Sequence, residues 1–135
     1  MVKSTTIYDG DKRCRITHDP SQSVIETDAP KDNNGKGSRF SPTDLMGAAL
    51  GACIVTTIAI VFEKDGLNFK GATAHVTKEM SANPRRIAKL AVQITMPLGV
   101  PLDMRPKIEK IAHSCPVHKS LHPEMELPIE FIYPD

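Results

Sequence analysis

Residues 45–62 are eighteen consecutive positions without a charged side chain. No other feature restricts the fold as much. A stretch of that length would suit a bilayer span. Yet it holds Gly47, Gly51, Thr56 and Thr57, and neither flank carries aromatic anchors or a basic cluster. The better expectation is a helix of a soluble protein, apolar all round and buried on all sides. A chain of 135 residues has difficulty enclosing such a helix alone, and an intertwined dimer does so more easily. Gly47 and Gly51 lie one helical turn apart. They would admit either a partner's backbone or the chain's own sheet.

The helix has a clear start. In Ser41-Pro42-Thr43-Asp44, Ser41 can cap free backbone N–H groups, Pro42 suits the first helical position, and Asp44 complements the positive helix end. Before it, the spacing predicts short strands over residues 4–8, 13–17 and 23–27. The turn residues Asp9-Gly10-Asp11 and Asp19-Pro20-Ser21 separate them. A polar loop over residues 28–38, with Pro30, Gly35 and Gly37, is the expected mobile segment. After the helix, strands are predicted over 70–80 and 89–96, a helix over 103–113, a helical turn over 117–121 and a last strand over 129–133. This is an α+β pattern in one domain, residues 1–135, with neither internal repeat nor linker.

Charge excludes several functions. Seventeen basic residues against sixteen acidic leave no excess for nucleic acid. Four per cent aromatics and no Trp argue against a stacking platform. The N-terminal residues do not resemble a signal peptide, so the expected location is the cytoplasm. Three cysteines there do not make a disulfide framework.

Chemistry therefore centres on those cysteines. Cys53, mid-helix, is either a small core residue or a thiolate with a cationic partner, for which Arg13, Arg15 and Arg39 are candidates. Cys115 precedes Pro116, so it would cap a helical turn, where the dipole favours a thiolate. His113 and His118 flank it. His118 and His122 could share a helix face, but Pro116 and Pro123 interrupt the segment, so no metal site is expected. Cys14 alternates onto the inward face of its strand and reads as structural.

Taken together, Ser41-Pro42-Thr43-Asp44-Leu45, Ala48-Ala49-Leu50-Gly51-Ala52-Cys53 and Ser114-Cys115-Pro116-Val117-His118-Lys119-Ser120-Leu121 resemble the OsmC/Ohr family of thiol-dependent hydroperoxide reductases. The order of strands and helices and the Thr27-Asp28-Ala29-Pro30 segment fit as well. The resemblance implies the OsmC-like fold, with antiparallel sheets wrapped around a long central helix in an intertwined homodimer. It implies no cofactor and no metal. Cys53 would attack the hydroperoxide, and Cys115 would resolve the resulting sulfenic acid to a disulfide. A dithiol, lipoyl-type or other, would restore both thiols. The apolar setting of Cys53 would favour organic hydroperoxides over hydrogen peroxide.

The family also implies an arginine from the N-terminal strands at the site, here Arg15 or Arg13, with Arg15 preferred. Its peroxidases pair that arginine with a glutamate ten residues before the first cysteine. Thr43 stands at that position here, followed by Asp44, and both are candidate substrate-binding residues. This departure leaves an alternative: a redox sensor or a binder of small apolar molecules on the same fold, without turnover.

Overall fold

A computed structural model describes residues 1–134. The chain forms two compact units, Met1–Met46 and Gly47–Asp135.

The first unit is a three-stranded antiparallel sheet in the order β1-β2-β3, with β1 Ser4–Gly10, β2 Arg13–His18 and β3 Ser23–Asp28. Asp11 and Lys12 make the first turn with φ of 52° and 63°, the left-handed pair that a tight hairpin requires. The register sets Arg13 opposite Asp28 and Arg15 opposite Glu26. The loop after β3, expected to be mobile, is stitched by main-chain hydrogen bonds. Ala29 N–H donates to Lys12 O, Gly35 N–H to Pro30 O and Gly37 N–H to Ala29 O. A side chain at Gly35 would run into the Ala29 carbonyl.

The helix α1, Pro42–Phe62, begins in the first unit and continues through the second. Its start is a reciprocal cap. Asp44 N–H donates to Ser41 Oγ at 3.0 Å, and Ser41 N–H donates to the Asp44 carboxylate at 2.9 Å.

The second unit packs α1 against the sheet β4-β5-β6, with β4 Thr73–Ser81, β5 Arg86–Thr95 and β6 Ile129–Ile132. This sheet is mixed, which corrects the all-antiparallel expectation: β5 pairs antiparallel with β4 but parallel with β6. Between β5 and β6 the chain crosses over through α2, Arg105–Ala112, and α3, Pro116–Ser120. A crossover returns a strand in the direction of its predecessor. A register shift at Glu79/Met80 puts Ile87 and Leu90 together on the inner face of β5, beside Val92 and Ile94. Tyr133, just after β6, is fastened to α2. Tyr133 O–H donates to Glu109 at 3.1 Å, and the Arg105 guanidinium lies 4.2 Å over the Tyr133 ring.

Within the chain α1 is buried along one stripe only, Gly47, Leu50, Gly51, Ile54, Ile58 and Phe62. Ala49, Ala52, Thr56 and Ile60 stay exposed. Burial on all sides is thus not achieved by the second unit alone. The glycines serve the chain's own sheet. A Cβ at Gly47 would lie 3.3 Å from Leu90 and Val76, and one at Gly51 would lie 3.0 Å from Val76 and 3.1 Å from Ala74.

The two glycines should therefore respond differently to alanine. Each substitution gains about 1 kcal/mol of helix propensity. At Gly51 the opposing atoms sit on a stiff valine and on a Cβ fixed to the strand, so overpacking of about 1–3 kcal/mol outweighs the gain. Gly51→Ala should lower the melting temperature, whereas Gly47→Ala should leave it unchanged or raise it. Thermal melts of both variants check this.

Candidate functional site

Cys53 lies midway along α1, half-buried, with its Sγ 3.9 Å from Thr57 Oγ1 one turn further on. Cys115 is fully buried at the N-terminus of α3. It is the N-cap that Pro116 predicts: its backbone is extended, with φ −64° and ψ 144°, and its Sγ accepts the N–H of His118 at 3.3 Å. Although 62 residues apart in sequence, the two thiols lie close enough for Cys53 to act on the titration of Cys115.

The expected thiolate preference at Cys115 is reversed. Burial raises its pKa, and the neighbouring Cys53 thiol adds to the rise. The N–H groups of His118 and Val117 favour the thiolate, but they do not overcome the loss of water. Cys115 is therefore a protonated thiol at neutral pH, and the half-buried Cys53 is the more accessible of the pair.

The ring of His118 is partly buried. It meets His113 edge-on with centroids 5.5 Å apart. Burial lowers the His118 pKa first, and His113 and Lys119 lower it further, so the imidazole is neutral at pH 7. His122 falls beyond the end of α3 at Ser120 and accepts the N–H of Glu124 on Nδ1 at 3.1 Å. It therefore shares no helix face with His118. Among the described residues, no three His, Cys, Asp or Glu side chains are grouped as a metal ion would need.

The other candidates belong to the first unit. Arg13 and Arg15 alternate onto the same face of β2, but their surroundings differ. Arg13 donates from Nε to Asp28 Oδ1 at 2.7 Å and from NH2 to Asp28 Oδ2 at 2.9 Å. Arg15 reaches only Asp9, at 3.4 Å, and half of its side chain is exposed. Thr43 Oγ1 lies 3.1 Å from Ser41 Oγ, and Asp44 closes the cap already described. Cys14, opposite Tyr8 and Thr27, is partly buried.

Sequence reasoning missed the pairing of Arg13 with Asp28. The information was present. With β2 and β3 joined by one turn, the register that pairs His18 with Ser23 necessarily pairs Arg13 with Asp28.

A family model described as OsmC-like protein matches residues 35–130. No curated protein matches the chain by sequence. Among solved structures, the chain is similar to a proposed osmotic stress induced and detoxification response protein from Psychrobacter arcticus. The identity is 38% and the TM-score 0.93, over 98% of this chain and 96% of that one. It shares its fold with an organic hydroperoxide resistance protein OsmC from Legionella pneumophila, at 14% identity and a TM-score of 0.78 over 97% and 96% of the two chains. It shares it also with an organic hydroperoxide resistance protein from Elizabethkingia anophelis, at 17% identity and a TM-score of 0.77 over 98% and 96%.

Proposed function

The chain belongs to the OsmC-like protein family, and from that premise we propose that it is a thiol-dependent reductase of organic hydroperoxides. The observation that carries this reading is the proximity of a half-buried Cys53 to a buried Cys115, close enough for one thiol to raise the pKa of the other. Two cysteines that merely filled a core would not need to meet.

The reaction runs in three steps. The Cys53 thiolate attacks the distal oxygen of the hydroperoxide, and the O–O bond breaks. Cys53 becomes a sulfenic acid, and the alkoxide leaves as an alcohol after taking up a proton. The sulfur of Cys115 then attacks the Cys53 sulfur. A disulfide forms, and the hydroxyl departs as water with the Cys115 proton. A dithiol reductant finally gives two electrons and two protons to the disulfide and becomes a disulfide itself. The site needs no metal or organic cofactor for these steps. Cys53 packs against the apolar core of the second unit, which supports an organic rather than an inorganic hydroperoxide.

The exposed stripe on α1 supports a homodimer. Ala52, Thr56 and Ile60 form a face with little polar character, and Ile60 is 73% exposed in the single chain. A second copy would cover it.

The test is a thiol count. Reduced protein is mixed with cumene hydroperoxide or, separately, hydrogen peroxide, and free thiols are titrated over time. Two thiols should vanish per chain, faster with the organic hydroperoxide, while Cys14 survives. In Cys53→Ser the rapid loss should disappear. Loss no faster than that of an ordinary exposed cysteine, or loss that persists in Cys53→Ser, overturns the reading in favour of a sensor or binding protein.

A further inference from the structure

The mixed sheet of the second unit has two faces. Val76 and Leu90 point inward, against the glycines of α1, and Val92 and Ile94 are buried with them. Side chains alternate along a strand, so His75, Thr77, Lys89, Ala91, Gln93 and Glu130 point the other way. The register sets that outer face in cross-strand rows. His75, Gln93 and Glu130 make one row, and Glu79 and Lys89 make another. Between them Thr77 stands opposite Ala91, with Pro128 just before β6. The middle row is short and the rows beside it are long. The result is a slot of about 340 Å³ over Ala91 and Pro128, within the range of small-molecule sites.

The floor of the slot is apolar. Ala91 and Pro128 have no polar side-chain atoms, and β5, as the central strand, spends its main-chain groups on β4 and β6. The walls are polar and differ in sign. Lys89 brings an ammonium from one side, whereas Gln93 and Glu130 bring an amide and a carboxylate from the other. Neither wall is tightly engaged with the protein itself. Lys89 Nζ lies 3.7 Å from Glu79, and Gln93 Nε2 donates to Glu130 at 3.5 Å. Long surface contacts of this kind are worth little and yield to a better partner. Among the described residues, the side chains of His75 and Thr77 make no hydrogen bond.

We propose that this slot binds a small aromatic carboxylate with a hydrogen-bond donor at the opposite end of the ring. The ring lies flat on Ala91 and Pro128. Its carboxylate meets Lys89, and its donor meets Glu130, with Gln93, His75 and Thr77 around the remaining polar atoms. Lys89 and Gln93 are four residues apart on β5, about 13 Å between Cα atoms. The reach of the two side chains shortens that span towards the length of one substituted ring. The opposed charges also set what is refused. A second carboxylate would face Glu130, and a ring without a carboxylate would leave Lys89 unanswered. The slot lies on the face of the sheet turned away from α1 and Cys53, so it does not depend on the hydroperoxide reading.

The experiment titrates 4-hydroxybenzoate into the ¹⁵N-labelled protein and follows the amide resonances. Shifts should centre on residues 75–77, 89–93 and 129–130, with a Kd on the order of 0.1–1 mM for a ligand of this size. Phenol, which keeps the ring and the hydroxyl, should bind at least about tenfold more weakly, and so should terephthalate, which carries the second carboxylate. Ala91→Leu fills the slot and should weaken 4-hydroxybenzoate at least about tenfold. Lys89→Met removes the ammonium but keeps the stem, and should weaken it about tenfold. Should Ala91→Leu fail to fold, Lys89→Met, a change at the surface, decides alone. The inference is overturned if shifts are absent at about 10 mM probe or centre on other residues. It is overturned equally if phenol binds as tightly as 4-hydroxybenzoate, or if the affinity of the deciding variant stays within about threefold of wild type.

Discussion

Cys115→Ser should convert a reaction that consumes two thiols into one that stops at a sulfenic acid. On the proposed mechanism, Cys115, close enough to Cys53 for the one thiol to shift the other's titration, condenses with it once the sulfenic acid forms. Serine keeps the cap on α3, since its hydroxyl can accept the His118 N–H as Sγ does. It cannot form a disulfide. Dimedone labelling of Cys53 after one equivalent of cumene hydroperoxide should therefore rise at least about tenfold over wild type, while the first oxidation keeps its rate. Equal labelling in both proteins would mean that Cys115 does not resolve Cys53.

The pH dependence of that second step follows from the burial of Cys115. Its pKa is raised above the ordinary 9.0, so less than about 1% is thiolate at pH 7. If the thiolate is the attacking form, disulfide formation should accelerate about tenfold per pH unit between pH 6 and 9, with no plateau in that range. Stability shares the same origin. The folded state holds this proton more tightly than the unfolded state. The stabilisation is complete below the unfolded pKa and is lost as pH rises through the folded one. Cys115→Ala should accordingly show a flatter decline in stability above pH 9 than wild type. A rate plateau below pH 8 would show that the thiol is not raised.

Local elements were legible because each carries its own periodicity or punctuation. β5 alternates Leu90, Val92 and Ile94 inward. Ser41 and Pro42 start α1, and Pro116 starts α3 with Cys115 as its cap. What failed depended on the fold as a whole. No local pattern in residues 129–132 tells a strand to pair parallel with β5. An apolar run without a polar face does not say which side will be covered, and only the packing of Gly47 and Gly51 on the sheet chooses it. At Cys115 the visible helix cap and the invisible burial act in opposite directions, and burial wins. The meeting of Cys53 and Cys115 was legible only through the family resemblance, because a 62-residue separation carries no geometry. Arg13 and Arg15 were indistinguishable by strand alternation. In the structure they differ in their partners, since Asp28 pairs with Arg13 through a register that a hairpin fixes but that facing alone does not reveal.

Ile54→Ala should be the most damaging substitution on α1. Ile54 has no exposed surface and belongs to the cluster formed with Leu90, Val92 and Ile94. Truncation there removes buried methyl groups and leaves a cavity, for about 2–5 kcal/mol. A domain of this size has only about 5–15 kcal/mol in total. A fall in melting temperature of roughly 6–20 °C is the expected result, since each kcal/mol moves a domain of 100–200 residues by about 3–4 °C. Ile60, on the opposite face, gives the contrast. With 73% of it exposed, Ile60→Lys should cost the isolated chain almost nothing. If a second copy covers that face, the lysine buries a charge in the interface, and the melting temperature falls at low protein concentration where dimers dissociate first. Sedimentation and melts across a hundredfold range of concentration separate the two cases. A concentration-independent melt for both wild type and Ile60→Lys would leave the stripe facing water, and the proposed homodimer would then have to use another surface.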